Sequence, residues 1–506
     1  MKRNALFVVL LLAIAGAVAP FYFQNPETLG QTHLKRFSSY EELEDFVKAS
    51  SQAYPYYDKN FLVSPLRGSA MEAGSTVPSY STTNVQVEGV DEADIIKTDG
   101  EFIYVASGNN VTIVRVYPPE GAEVLSRIGL NGTVVGIFIN GERLVVFEQP
   151  NPYILVRPLT KEKPVPYETF RASIKVYDIS DRRSPALRRE VALDGWYFNS
   201  RMMGDYVYAV VNQPVIRPSE GEDKVILPKV YVNGGVKEIS ASEIYYSDVV
   251  DYSYTFTTVV ALNVQNDGEK PTYKTILMGV TSSMYVSRDN IYVAIPKWTT
   301  SEVKTLGSLI GRVTTLQVGK ESTVIDRIHV EGPTIEIKAS GEVPGRVLNQ
   351  FSMDENNGNF RIATTTGQVW SSEEPSRNHV YVLNMNLNII GRLEDLAPGE
   401  TIYSARFMGE RGYLVTFKKV DPLFVIDLKE PANPRVLGQL KITGYSDYLH
   451  PYDENHIIGI GKETVEAEEG NFAWYQGVKI SLFDVSDVKK PKEIAKYEIG
   501  DRGTDS

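Results

Sequence analysis

Val176-Tyr177-Asp178-Ile179-Ser180, followed by Pro185 and Gly195, has two close copies further along the chain. They are Val425-Ile426-Asp427-Leu428 with Pro434 and Gly444, and Leu482-Phe483-Asp484-Val485-Ser486 with Pro491 and Gly500. The proline follows the aspartate by seven places in each copy, and the glycine by seventeen, seventeen and sixteen. Four looser copies centre on Arg115, Asn263, Arg327 and Asn384. Short β-runs recurring at roughly 40 to 85 residues are the mark of a propeller or solenoid.

The β reading rests on composition and punctuation. Glu101–Ser107, Val111–Tyr117 and Glu123–Gly129 are rich in β-branched and aromatic residues. Asp99-Gly100, Gly108-Asn109-Asn110 and Asn140-Gly141 between such runs are turn signals, because Gly and Asn tolerate positive φ. One unit reads as four antiparallel strands, the third ending in Asp and the fourth in Gly, which is a propeller blade. The units run 93–132, 133–195, 196–279, 280–345, 346–399, 400–444 and 445–500. The fold class is therefore all-β, a β-propeller of about seven blades. The repeated aspartates are expected to accept backbone N–H bonds in Asx-turns, with the proline presetting φ and ending the strand pairing.

Composition narrows the function. The net charge of −12 argues against nucleic acid and anionic membrane surfaces as partners. With no cysteine, disulfides, thiolate catalysis and Cys-ligated metal are excluded. Lys2 and Arg3 precede an apolar run from Ala5 to Ala19, the pattern of an export signal. Ala17-Val-Ala19 offers a cleavage site, Pro20 hinders it, and the run extends to Phe23, close to the ~20 residues that span a bilayer. Residues 1–23 are thus a signal peptide or membrane anchor, and either places the body outside the cytoplasm. Residues 24–82 read as a short helix at 40–50, opened by the capping box Ser39-Tyr40-Glu41-Glu42, then a polar linker. The propeller domain takes residues 83–506, with an insertion at 214–258.

Thr83–Gly100, Gly444–His456 and Ile480–Ser486 together resemble a family of predicted secreted archaeal and bacterial proteins with a β-propeller distantly related to WD-40 repeats. The resemblance covers roughly residues 35–506 and implies a fold and an extracytoplasmic location, but no activity. It also implies a further strand unit in relatives past the equivalent of Gly500–Ser506, giving them as many as eight blades.

Two clusters offer oxygen or imidazole ligands. Glu88, Asp91, Glu92 and Asp94, with Asp99, could hold a structural calcium ion, but they lack the DxDxDG loop with a distal Glu. A solvated turn is the plainer reading. His450, Asp453 and His456 suit zinc or acid–base work, yet the histidines are six apart and straddle Pro451 and the turn residues Asp453-Glu454-Asn455. Hydrogen-bonded structural histidines fit that spacing better. No GxSxG, HExxH or P-loop is present, so no catalytic residue is assigned.

The insertion holds Tyr231, Tyr245, Tyr246, Tyr252 and Tyr254 among Ser, Asp and Gly. Tyr-rich loops on a rigid scaffold suit recognition, although the same loop folded back over its blade would use tyrosine as well. The expected function is a binding module of the cell envelope, recognising a cell-surface protein or an envelope glycan and touching the membrane only through the N-terminal segment. The alternative is an extracytoplasmic enzyme, hydrolytic or metal-dependent, with its site in the central channel.

Overall fold

A computed structural model describes residues 34–52, 84–150, 170–215, 224–247, 254–306, 313–369, 371, 374–418, 421–466 and 473–504. Among the described residues, seven sheets, antiparallel but for one added strand, follow one another along the chain, at 96–129, 133–194, 196–278, 283–344, 346–396, 401–442 and 445–499. They are named blades 1 to 7, and each matches one unit of the repeat. Tyr252 and the segment 1–23 lie outside the described residues. Among the described residues, no helix is long and apolar enough to cross a membrane.

The repeated aspartate works as its position suggests. Oδ1 of Asp178 accepts the N–H of Ser180 at 3.0 Å, that of Asp427 the N–H of Lys429 at 3.1 Å, and that of Asp484 the N–H of Ser486 at 2.9 Å. Asn263 and Asn384, the centres of two looser copies, make the same two-residue Asx-turn with Gln265 and Asn386. Arg327 does not mark a turn. It sits inside the strand Val313–Glu331, at a bulge, and blade 4 turns instead at Gly332-Pro333. The prolines 185, 434 and 491 stand directly before the fourth strands. Gly195 adopts φ +116°, and a Cβ there would meet the carbonyl oxygen of Asn212 at 2.5 Å, so the blade-to-blade step requires glycine.

Consecutive blades seal against each other through buried aliphatic and aromatic faces. Six clusters join blade 1 to 2, 2 to 3, 3 to 4, 4 to 5, 5 to 6 and 6 to 7. Fourth strands also dock onto the next blade's hairpin. Ser126 donates to the Arg182 carbonyl at 2.6 Å, and Arg189 to those of Asn263 and Asn266 at 2.9 and 3.0 Å. Gly391 and Gly438 lie where a Cβ would strike the backbone at Pro431 and Val488. Blades 7 and 1 lack such a seal among the described residues. Tyr497 is 68 % and Ile499 45 % exposed, whereas Ile442, the blade 6 counterpart of Ile499, is 7 % exposed. Ile103 and Val105 of blade 1 are half-buried where Leu144 and Val146 of blade 2 are fully covered.

Two additions complete the fold. Inside the ring, Asn84–Asp94 crosses from blade 7 to blade 2. Asp91–Glu92 pairs with the innermost strand of blade 3, and Asp94 bridges to Ile137 of blade 2. Outside the ring, helix α1 (Tyr40–Gln52) and the insertion pack onto blades 2 and 3. The amide of Glu42 donates to Ser39 Oγ at 3.2 Å, as the capping box requires, while the Glu42 carboxylate accepts from Ser38. The hairpin Lys229–Val232 and Gly235–Glu238 extends blade 2, and Ile244–Tyr246 joins blade 3 in parallel.

Candidate functional site

The acidic stretch at 88–94 is spent on structure. Glu88 pairs with Arg288 at 3.3 Å, Asp91 with Lys97 at 2.8 Å and Glu92 with Arg201 at 3.7 Å. Asp94 accepts from the Ile95 N–H at 2.7 Å. These carboxylates diverge towards different cations. Among the described residues, no group of three or more His, Asp or Glu is arranged to hold a metal ion.

The two histidines also separate. Asp453 caps the hairpin turn, accepting from the N–H groups of Asn455 and His456 at 2.7 and 2.8 Å and from His456 Nδ1 at 2.9 Å. His450 lies on the strand Tyr445–Pro451, where the side-chain amide of Asn84 donates to its Nδ1 at 3.1 Å. Burial, then the neighbouring Arg406 guanidinium, hold the His450 imidazole below its ordinary pKa. Arg406 is itself 7 % exposed and stands over the Phe351 ring at 5.2 Å. Its Nη1 has no hydrogen-bond partner among the described residues.

The insertion's tyrosines split into two kinds. Tyr246 and Tyr254 are buried; Tyr246 stacks on Phe37 at 3.9 Å and donates to Glu42 at 3.0 Å. They tie the insertion to α1 and, with Leu43, Val47 and Ile244, extend the core cluster that seals blade 2 to blade 3. Tyr231 and Tyr245 are half-buried. Tyr231 donates to Asp194 at 3.1 Å beneath the Arg171 guanidinium, and Tyr245 bonds Arg36.

Tyr245 opens onto a concavity at the rim. The insertion hairpin, the outer strand of blade 3 and the outer strand of blade 4 enclose an open groove of about 1130 Å³. Its apolar side is Val230, Val232 and Ile337, and its cations are Arg36, Lys237, Lys270, Lys274 and Lys338. Two carboxylates, Glu243 and Glu336, face them. Lys237 bonds Glu243 at 2.9 Å and stands 5.2 Å above the Tyr273 ring. The hydrogen bonds it donates to Tyr273 and Glu243 raise its pKa, so it stays charged. An acidic chain thus gathers excess positive charge in one concave place. Sequence reasoning singled out Tyr245 but missed the five cations, which come from four separate segments with no shared motif.

The family match agrees with this architecture. A family model described as beta propeller domain matches residues 80–506. An uncharacterised protein of Methanocaldococcus jannaschii is 29 % identical, over 98 % of this chain and 84 % of its own length. One from Archaeoglobus fulgidus, likewise uncharacterised, is 28 % identical over 98 % of this chain and 86 % of its own. A solved structure of a hypothetical selenium-binding protein from Sulfolobus tokodaii aligns over 80 % of both chains with 9 % identity and a TM-score of 0.33.

Proposed function

The chain belongs to the beta propeller domain family, and on that premise we propose that it is an exported binding module of the cell envelope whose recognition surface is the rim groove. The charged start and apolar run at residues 2–23 support export, through a cleaved signal or a retained anchor. The groove carries the recognition claim. It forms where the insertion, added to a bare four-stranded blade, meets the outer strands of blades 3 and 4, and it concentrates cations on a chain of net charge −12. Electrostatic complementarity of this kind steers and orients an acidic partner. A cell-surface protein fits better than a neutral envelope glycan. One face of the Tyr245 ring is covered by Arg36 at 4.6 Å and one face of Tyr273 by Lys237, so these rings seat cations where sugar binding would use open platforms.

The natural chain has no cysteine, so a single introduced one is a unique chemical handle. A photo-cross-linker on Lys270→Cys, in protein added to source-cell envelopes, is expected to give a discrete adduct that excess salt suppresses. The same label on Lys489→Cys in blade 7 is expected to give none. Equal labelling from both positions, or from Lys489→Cys alone, would overturn the groove. The unpartnered Nη1 of Arg406 beside His450 favours a second reading, a site on the axis. Loss of envelope binding in Arg406→Gln but not in Lys270→Glu would select it.

A further inference from the structure

Resting on the groove reading, we propose that the occupant is an extended acidic polypeptide segment, added as a strand along the edge at residues 334–338. Four observations lead there.

The first is size. At about 1130 Å³ the groove exceeds the ~300–1,000 Å³ usual for small-molecule sites, and it is open, which suits a length of polymer.

The second is the edge. Thr334 through Lys338 all line the groove, one after another. Side chains of a strand alternate between two faces, so consecutive residues reach one space only where the strand's edge borders it. Thr334–Pro344 is the last strand of the blade 4 sheet and, among the described residues, pairs only with Val313–Glu331. The outer N–H and C=O groups at residues 334–338 are therefore offered to an incoming chain, the usual means of strand addition.

The third is charge. Five cations face two carboxylates, and those two are engaged by Lys237 and Lys338. The excess sits on Arg36, Lys270 and Lys274. Lysine on an edge strand deters indiscriminate pairing, and here it also selects which strand is admitted. An acidic strand is attracted where a neutral or basic one is not.

The fourth is the apolar side. Val232 and Ile337, both half-buried, line the groove, while Val230 is buried. The two half-buried side chains can receive apolar side chains on one face of an added strand, while those on its other face meet the lysines. The alternation to look for is acidic with β-branched.

The probe is a short fluorescent alternating Glu–Val peptide, titrated into the intact protein by anisotropy. Its controls are the same peptide N-methylated at alternate residues, a Lys–Val peptide and a polyuronate. The Glu–Val peptide is expected to bind and to weaken with salt. Affinity is expected to fall by about tenfold or more on N-methylation and in the Lys270→Glu/Lys274→Glu variant. Both substitutions are on the groove's margin, and the circular dichroism of the variant is expected to match that of the natural protein. Equal binding of the N-methylated peptide, or tighter binding of the polyuronate, overturns strand addition but leaves the groove as the site. Failure of the peptide to bind, with cross-linking through Lys270→Cys intact, also overturns the strand alone. Failure of both removes the groove reading as well.

Discussion

The axis and the rim of this propeller use the same polar residue types to opposite ends. On the axis, Glu92 faces Arg201, Asp91 faces Lys97, Gln86 donates to the carbonyls of Gln350 and Met353 at 3.1 Å, and Asn84 is turned to His450. Most charges there have been matched within the molecule. At the rim, Arg36, Lys270 and Lys274 surround space. A matched charge holds a fold in one arrangement, whereas a surplus charge is available to something else. The comparison therefore puts structural polarity inside the ring and surplus charge outside it, where the proposed recognition would act.

The most severe way to break the comparison is Arg201→Ala. Arg201 is 3 % exposed and bonds Asn199, the Ser200 carbonyl and Gln350 besides facing Glu92. Removing it takes the cation from the half-buried Glu92 and a donor from Asn199 and Gln350, and is expected to cost about 3–5 kcal/mol in denaturant titration. A loss below about 1 kcal/mol would mean that the axis is not matched in the sense argued.

Intermediate effects belong to the hairpin turns. Asp427→Ala is expected to cost about 0.5–2 kcal/mol, as other lost side-chain caps do; an unchanged midpoint would deny the turn its role. These turns also set an acid dependence. Bonds from the Ser180 hydroxyl and N–H, then Arg188, hold the Asp178 carboxyl well below the usual range, and the Ser486 hydroxyl and N–H do the same for Asp484. A depressed folded pKa contributes stability above the unfolded value of about 4 and loses it as pH falls below that. The denaturant midpoint is expected to drop below about pH 4, less steeply in Asp178→Asn/Asp484→Asn.

The smallest effect on stability is expected at the rim. Lys270→Ala should lie within about 0.5 kcal/mol of the natural protein while reducing cross-linking through a second groove cysteine at Thr334. A stability loss comparable to that of Asp427→Ala would show Lys270 to be structural and erase the difference between the two regions.

What the sequence revealed follows the range of the interactions. Asx-turns and blade steps are local, so Asp178, Asp427, Asp484 and the glycines after them marked every boundary they touch. Arg327 misled because blade 4 substitutes Gly332-Pro333 for the Asx-turn and displaces the phrase. The crossing segment at 84–94 was visible as an acidic run, yet its partners Arg201, Arg288 and Gln350 are more than a hundred residues away. Tyrosine was ambiguous in the insertion because its ring packs as readily as it recognises. Tyr246 lies against Phe37 and α1, while adjacent Tyr245 faces the groove. The buried Ile239, Ala241 and Ile244 show that the insertion carries core as well as surface. Replacing residues 216–250 wholesale would therefore disturb folding and recognition together.

The unsealed faces of blades 7 and 1 bear on how the ring comes apart. Where each blade is held only by its neighbours, cooperativity is a chain of pairwise couplings and the ends are its weakest links. Blade 3 is clamped on both sides and braced by Asp91–Glu92, whereas blade 7 is sealed on one side and tied across the axis by Asn84. Amide exchange should accordingly be graded around the ring. Protons along Ala473–Asp484 should be released first and those along Thr255–Asn263 last, so that the protein opens like a fan, one leaf at a time.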